Sequence, residues 1–99
     1  MRELKTEGQT EFIAVESRTS EGREYRYELI REMGRRTDNW RLPMYSIRIT
    51  MTDVDGSRHT RSSDNIFSDK RRATRFFNRM VKHLCTPIDL GYIIEDEVR

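Results

Sequence analysis

Ninety-nine residues make one domain, near the low end of what can bury a single core. With 34% hydrophobic and 36% charged residues the chain is hydrophilic, yet it keeps the aromatics and branched aliphatics that place it outside the disordered class. A lone cysteine, Cys85, excludes an internal disulfide, and no run of apolar residues approaches the length of a bilayer span.

The net charge of +2 is unevenly spread. Residues 1–33 carry six basic and eight acidic groups, residues 34–83 twelve and five, residues 84–99 one and four. The middle is basic and both ends are acidic, which marks either a partner surface or oppositely charged faces packed together. The opening Met-Arg-Glu-Leu-Lys-Thr-Glu lacks the apolar segment of a leader, so a cytoplasmic protein is expected.

Residues 1–9 are charged, carry Gly8, and read as a flexible N-terminus ahead of a single domain over 10–98. Phe12, Ile13, Ala14 and Val15 predict a short strand over 10–16, and 17–22 has turn chemistry. From Arg23 to Met33 the pattern alternates: Tyr25, Tyr27, Leu29 and Met33 share one face, with mostly charged groups on the other. That is a half-buried strand. Residues 34–43 form a polar loop with the only tryptophan, and 44–52 alternate again on Tyr45, Ile47, Ile49 and Met51. Asp55-Gly56 reads as a two-residue hairpin loop in which both positions take positive φ. Residues 57–64 hold no apolar side chain and would return as an exposed edge strand.

The spacing then predicts a long amphipathic helix over 69–85, with Ser68 as N-cap and Asp69 near the positive end of the dipole. At about 100° per residue, Ala73, Phe76, Phe77, Met80, Val81 and Leu84 fall on one arc. Arg71, Arg72, Arg75, Arg79, Lys82 and His83 fall on a second, basic arc beside it. Thr86-Pro87 stops this helix and opens a short C-terminal one, with Thr86 as N-cap, Pro87 first and Asp89 three residues after the cap. Leu90, Ile93, Ile94 and Val98 make its apolar stripe. The expected class is α+β: an antiparallel meander of three to four strands followed by both helices, packed on one face.

Element order and wording together resemble a known family. The residues that carry the likeness are Tyr45-Ser46-Ile47-Arg48-Ile49, Ile66-Phe67-Ser68-Asp69, and Thr86-Pro87-Ile88-Asp89-Leu90 running on to Ile93-Ile94-Glu95-Asp96. The chain is similar over residues 23–98 to a family of small uncharacterised proteins from spore-forming Gram-positive bacteria, a domain of unknown function. The resemblance implies a bacterial cytoplasmic protein with this element order. It brings no activity and no functional residues.

Among chemistry-bearing groups, the basic arc with Lys70 is the strongest feature, able to meet successive phosphates or to remain a solvated face. Trp40 among Arg35, Arg36 and Arg41 could stack on a base, anchor a protein partner, or fold over the core edge. His59, His83 and Cys85 lack the four-ligand spacing of structural zinc, and His83 and Cys85 stand about 200° apart on one helix. Cys85 reads as a small buried or boundary residue. Asp53-Val54-Asp55-Gly56 lacks the later ligands of a calcium loop, and no catalytic motif or Gly-rich phosphate loop occurs. The expectation is a binding or regulatory module without catalysis, cofactor or membrane contact, its partner another protein or a second copy. Nucleic acid is the alternative. The candidate contacts are Arg35, Arg36, Trp40, Arg71, Arg72, Arg75, Arg79 and Lys82.

Overall fold

Alternation with a period of two carries straight into an antiparallel sheet. The computed structural model describes residues 10–33 and 43–98. The four strands β1 (Thr10–Ser20), β2 (Arg23–Met33), β3 (Pro43–Thr52) and β4 (Arg58–Phe67) lie side by side in chain order. Each runs antiparallel to its neighbour. Helices α1 (Lys70–Lys82) and α2 (Pro87–Val98) follow, so the class is α+β as expected. The stretches 1–9 and 34–42 of the predicted N-terminus and loop lie outside the described residues.

The core forms where the odd-numbered face of β2 and β3 meets the helices. Tyr27, Leu29, Ile47 and Ile49 are fully buried with Phe76, Phe77 and Met80 of α1 and Leu90 of α2. Each such side chain contributes about 1.5–3 kcal/mol relative to exposure, which makes this cluster the main stabilising term. A buried phenol needs a partner, and the Tyr27 hydroxyl donates to the Cys85 carbonyl at 2.8 Å. That bond ties the segment between the two helices down onto β2.

Several boundaries differ from expectation. Strand β1 continues to Ser20, and the turn shrinks to Glu21-Gly22, with φ of 53° and 80° between the paired residues Ser20 and Arg23. The two-residue loop with both φ positive is therefore here, not at Asp55-Gly56. Between β3 and β4 the Gly56 amide bonds the Asp53 carbonyl at 2.9 Å and only Gly56 has positive φ, at 91°. The chain makes a three-residue loop there, a type I turn closed by a left-handed glycine. Strand β4 extends through residues 65–67, which looked like the approach to the helix. An irregularity in its pairing sets Phe67 opposite Tyr45, where it is buried. Phe67, with Ile66 packed beside it on the core, anchors an otherwise polar edge strand.

Helix α1 has 13 residues, four fewer than the long helix predicted over 69–85. Its N-cap is Asp69 instead of Ser68, the carboxylate accepting from the Arg71 amide at 3.0 Å. A carboxylate in that place also meets the positive end of the helix dipole. The helix stops before Pro87 because Leu84 takes a left-handed φ of 55°. The Cys85 amide then bonds the Met80 carbonyl and the Leu84 amide the Val81 carbonyl, both at 3.1 Å, the double closure usually built on glycine. Left-handed backbone costs a leucine about 1–2 kcal/mol, offset here by packing of its side chain on the core.

Helix α2 opens as predicted. The Thr86 hydroxyl accepts from the Asp89 amide and the Asp89 carboxylate from the Thr86 amide, each at 3.2 Å. It lies mainly over β4 and β3. Its Gly91 faces the exposed side chain of Arg61 on β4, whose terminal nitrogen would stand 3.1 Å from a Cβ placed there and would have to shift by a few tenths of an ångström.

Candidate functional site

The basic arc of α1 divides in two. Arg72 and Arg79 lie over core aromatics, their guanidinium carbons 5.3 and 5.4 Å from the ring centres of Phe67 and Phe76. Both extend the hydrophobic layer with their stems and face the rings with their charge. Arg71, Arg75 and Lys82 are exposed, and among the described residues no carboxylate pairs with their side chains. Arg71 and Arg75 border a shallow depression with Asp69, Lys70 and Thr74. The proposed contacts Arg35, Arg36 and Trp40 lie outside the described residues.

The larger concave surface is on the other side of the sheet, opposite the helices. Pairing sets its rows: Phe12 with Ile30 and Ser46, then Val15 with Glu28 and Arg48, then Ser17 with Arg26, Thr50 and Thr60. The last row joins Thr19, Glu24, Thr52 and Arg58. One end is apolar, with Phe12 54% and Val15 42% exposed beside a buried Ile30. The other end is a polar basin of about 680 Å³ open to solvent.

Glu28 sits at the floor of that basin and is only 4% exposed. One of its carboxylate oxygens accepts from Arg48 Nε at 2.6 Å and the other from Arg26 Nε at 3.4 Å. The hydrogen bond from Arg48 holds the Glu28 carboxyl below the usual carboxylate range, against the opposing effect of burial. The same bond raises Arg48. Sequence reasoning missed this trio. Its signal was the polar half of the alternation in β2 and β3, and it needed the pairing register that sets Glu28 directly opposite Arg48.

Among the described residues the histidines and the cysteine do not converge. His59 and His83 are both exposed, one on β4 and one at the end of α1. Cys85 is buried as expected, and burial pushes its thiol up. Burial likewise raises the Tyr27 phenol. Among the described residues no group of three or more His, Cys, Asp or Glu is placed to hold a metal ion. No helix among them is long and apolar enough to cross a membrane. At the turn end, Arg23 Nε donates to Asp53 at 3.0 Å beside a small cleft reaching Pro87 and Ile88.

Against known proteins, one family model matches: DUF6514, described as a family of unknown function, over residues 7–99. The match takes in β1 as well as the stretch from residue 23 that carried the sequence resemblance. No curated protein and no solved structure matches the chain.

Proposed function

The chain thus belongs to a family of unknown function, and with no activity to inherit we propose that it is a non-catalytic binding module acting through the face of its sheet that no described element covers. Its partner is another protein or a second copy of itself. We take it to work in the cytoplasm of a spore-forming Gram-positive bacterium, as the resemblance implies. The observation that carries the reading is the one-sided layering: helices bury one face, while Phe12 and Val15 stand exposed beside Ile30 on the other. Apolar groups held together on a rigid sheet are costly to keep in water and suit a partner surface.

Sedimentation and affinity capture test this with wild type and with Phe12→Ser and Val15→Ser together. A concentration-dependent dimer, or a captured protein, that disappears in the variant while the circular-dichroism spectrum is unchanged supports the reading. A wild type that stays monomeric, with the same captured proteins as the variant, overturns it.

A second reading, nucleic-acid binding through α1, is favoured by the exposure of Arg71, Arg75 and Lys82 without carboxylate partners among the described residues. Fluorescence anisotropy of labelled DNA and RNA over a salt series addresses it. Binding that weakens steeply with salt and is lost on changing Arg71, Arg75 and Arg79 to Glu is the expected result for that reading. No binding at low salt removes it.

A further inference from the structure

We propose that the polar basin on the open sheet face is a binding site for a phosphorylated, hydroxyl-bearing small molecule, with Arg26, Arg48 and Arg58 as its phosphate contacts and Glu28 as their positioning residue.

The argument starts from the buried carboxylate. A carboxylate at 4% exposure is costly to desolvate, and a buried ion group of this kind is a poor stabilising device compared with apolar side chains of similar size. What Glu28 does geometrically is hold two guanidinium groups by the same atom. Arg26 and Arg48 each donate Nε to it, and Nε is one corner of a planar fork whose four terminal N–H bonds lie elsewhere. Among the described residues those terminal nitrogens of Arg26 and Arg48 meet no other hydrogen-bond acceptor. Their side chains remain 55% and 38% exposed. Arg48 is thus fixed at its base, Arg26 is held there more loosely, and both are open at the tip.

Fixed arginine forks are the groups that meet phosphate oxygens in pairs, and fixing them beforehand removes the ordering cost that a flexible surface arginine incurs on binding. Arg48 faces Glu28 directly across β2 and β3, and Arg26 is two residues from Glu28 on the same face. Arg58 enters the same basin from β4. Four arginines, Arg18 as well as Arg26, Arg48 and Arg58, against Glu24 and Glu28 leave the basin net positive, so an anion is the complementary occupant. Around them the lining is hydroxylic, with Ser17 and Thr19 from β1, Thr50 from β3 and Thr60 from β4. Hydroxyls both donate and accept, which suits a polyol or ribose body beside the phosphate. The volume of about 680 Å³ lies in the range of small-molecule sites, roughly 300–1,000 Å³. This site is separate from α1 and from the apolar end of the same face.

The test is nitrogen–proton NMR of the full chain, titrated with inorganic phosphate and with glucose 6-phosphate at constant ionic strength. Saturable shifts of the Arg26, Glu28, Arg48 and Thr50 amides and of the two arginine Nε–H signals are expected, with the sugar phosphate binding more tightly. Arg48→Lys keeps the charge and loses the fork, and weakens binding about tenfold. Because Arg48→Lys leaves Glu28 less well paired and could unfold the protein, Arg58→Ala serves as the second variant and also weakens binding. Shifts that never saturate, that fall on Arg71, Arg75 and Lys82 instead, or that survive Arg58→Ala unchanged overturn the assignment. A sugar phosphate that binds no better than phosphate overturns the role given to the hydroxyl lining.

Discussion

Removing the Tyr27 hydroxyl tests how the helices are fastened to the sheet. Tyr27 is wholly buried, and its hydroxyl donates at 2.8 Å to the carbonyl of Cys85, in the segment that joins α1 to α2. In Tyr27→Phe the ring and its contacts remain, while that carbonyl loses its donor inside the core. A buried polar group left without its partner costs about 1–3 kcal/mol. For a chain of 99 residues, each 1 kcal/mol lowers Tm by about 4–8 °C, so a fall of roughly 4–24 °C is expected. The matched control is Tyr25→Phe: Tyr25 stacks on Tyr27 with ring centres 6.4 Å apart, and among the described residues its hydroxyl bonds nothing. That change should fall within about 0.5 kcal/mol of wild type. Thermal and urea melts followed by far-ultraviolet circular dichroism give both values. Equal midpoints for the two variants would refute the fastening role of the bond.

Two further outcomes can be measured in the same way. Glu21 occupies a left-handed position of a turn that prefers Asn there, so Glu21→Asn should gain about 0.5–1 kcal/mol; an unchanged urea midpoint would show that the strain is not stored at Glu21. Its exposed contact with Arg23, at 4.0 Å, is too weak to reverse the sign. The Glu28 carboxyl is held low by Arg48, so its contribution to stability is present above the unfolded value near pH 4.3 and is lost as pH falls through the lower folded value. Wild type should therefore lose stability more steeply than Glu28→Gln below about pH 4.5, with Asp53 and Asp55 titrating alike in both. Parallel acid profiles would mean the pair does not favour the ionised form.

The strands of the core were readable because Tyr25, Tyr27 and Leu29, and likewise Tyr45, Ile47 and Ile49, repeat at the period of a sheet with one wet face. Thr86 and Asp89 were readable because a capping box is local, three residues from end to end. What failed was decided by distant partners. Leucine is a poor choice for a left-handed position, so the end of α1 at Leu84 depends on the core that accepts its side chain. Phe67 belongs to β4 because Tyr45 stands opposite, and nothing local says so. The same limit hid the basin. Arg26, Glu28, Arg48 and Arg58 are scattered charges along the chain, and only strand register assembles them. The arginines of α1 were visible as a row, but whether each faces a ring or water depends on Phe67 and Phe76 beneath.

The irregularity between Phe12 and Ala14 in the pairing of β1 has a consequence for inheritance by insertion and deletion. Ala14 pairs with Leu29 and so faces the helices, and in an unbroken strand Phe12, two residues away, would face them too. The extra residue, Ile13, reverses the first three positions of the strand, and Phe12 pairs instead with Ile30 on the open face. Loss of one codon there would turn residues 10–12 over, carrying the aromatic to the helix layer and Glu11 to the open side without altering either residue. The surface chemistry of this sheet is therefore set by a count as much as by composition, and relatives differing by one residue in β1 should present a different open face.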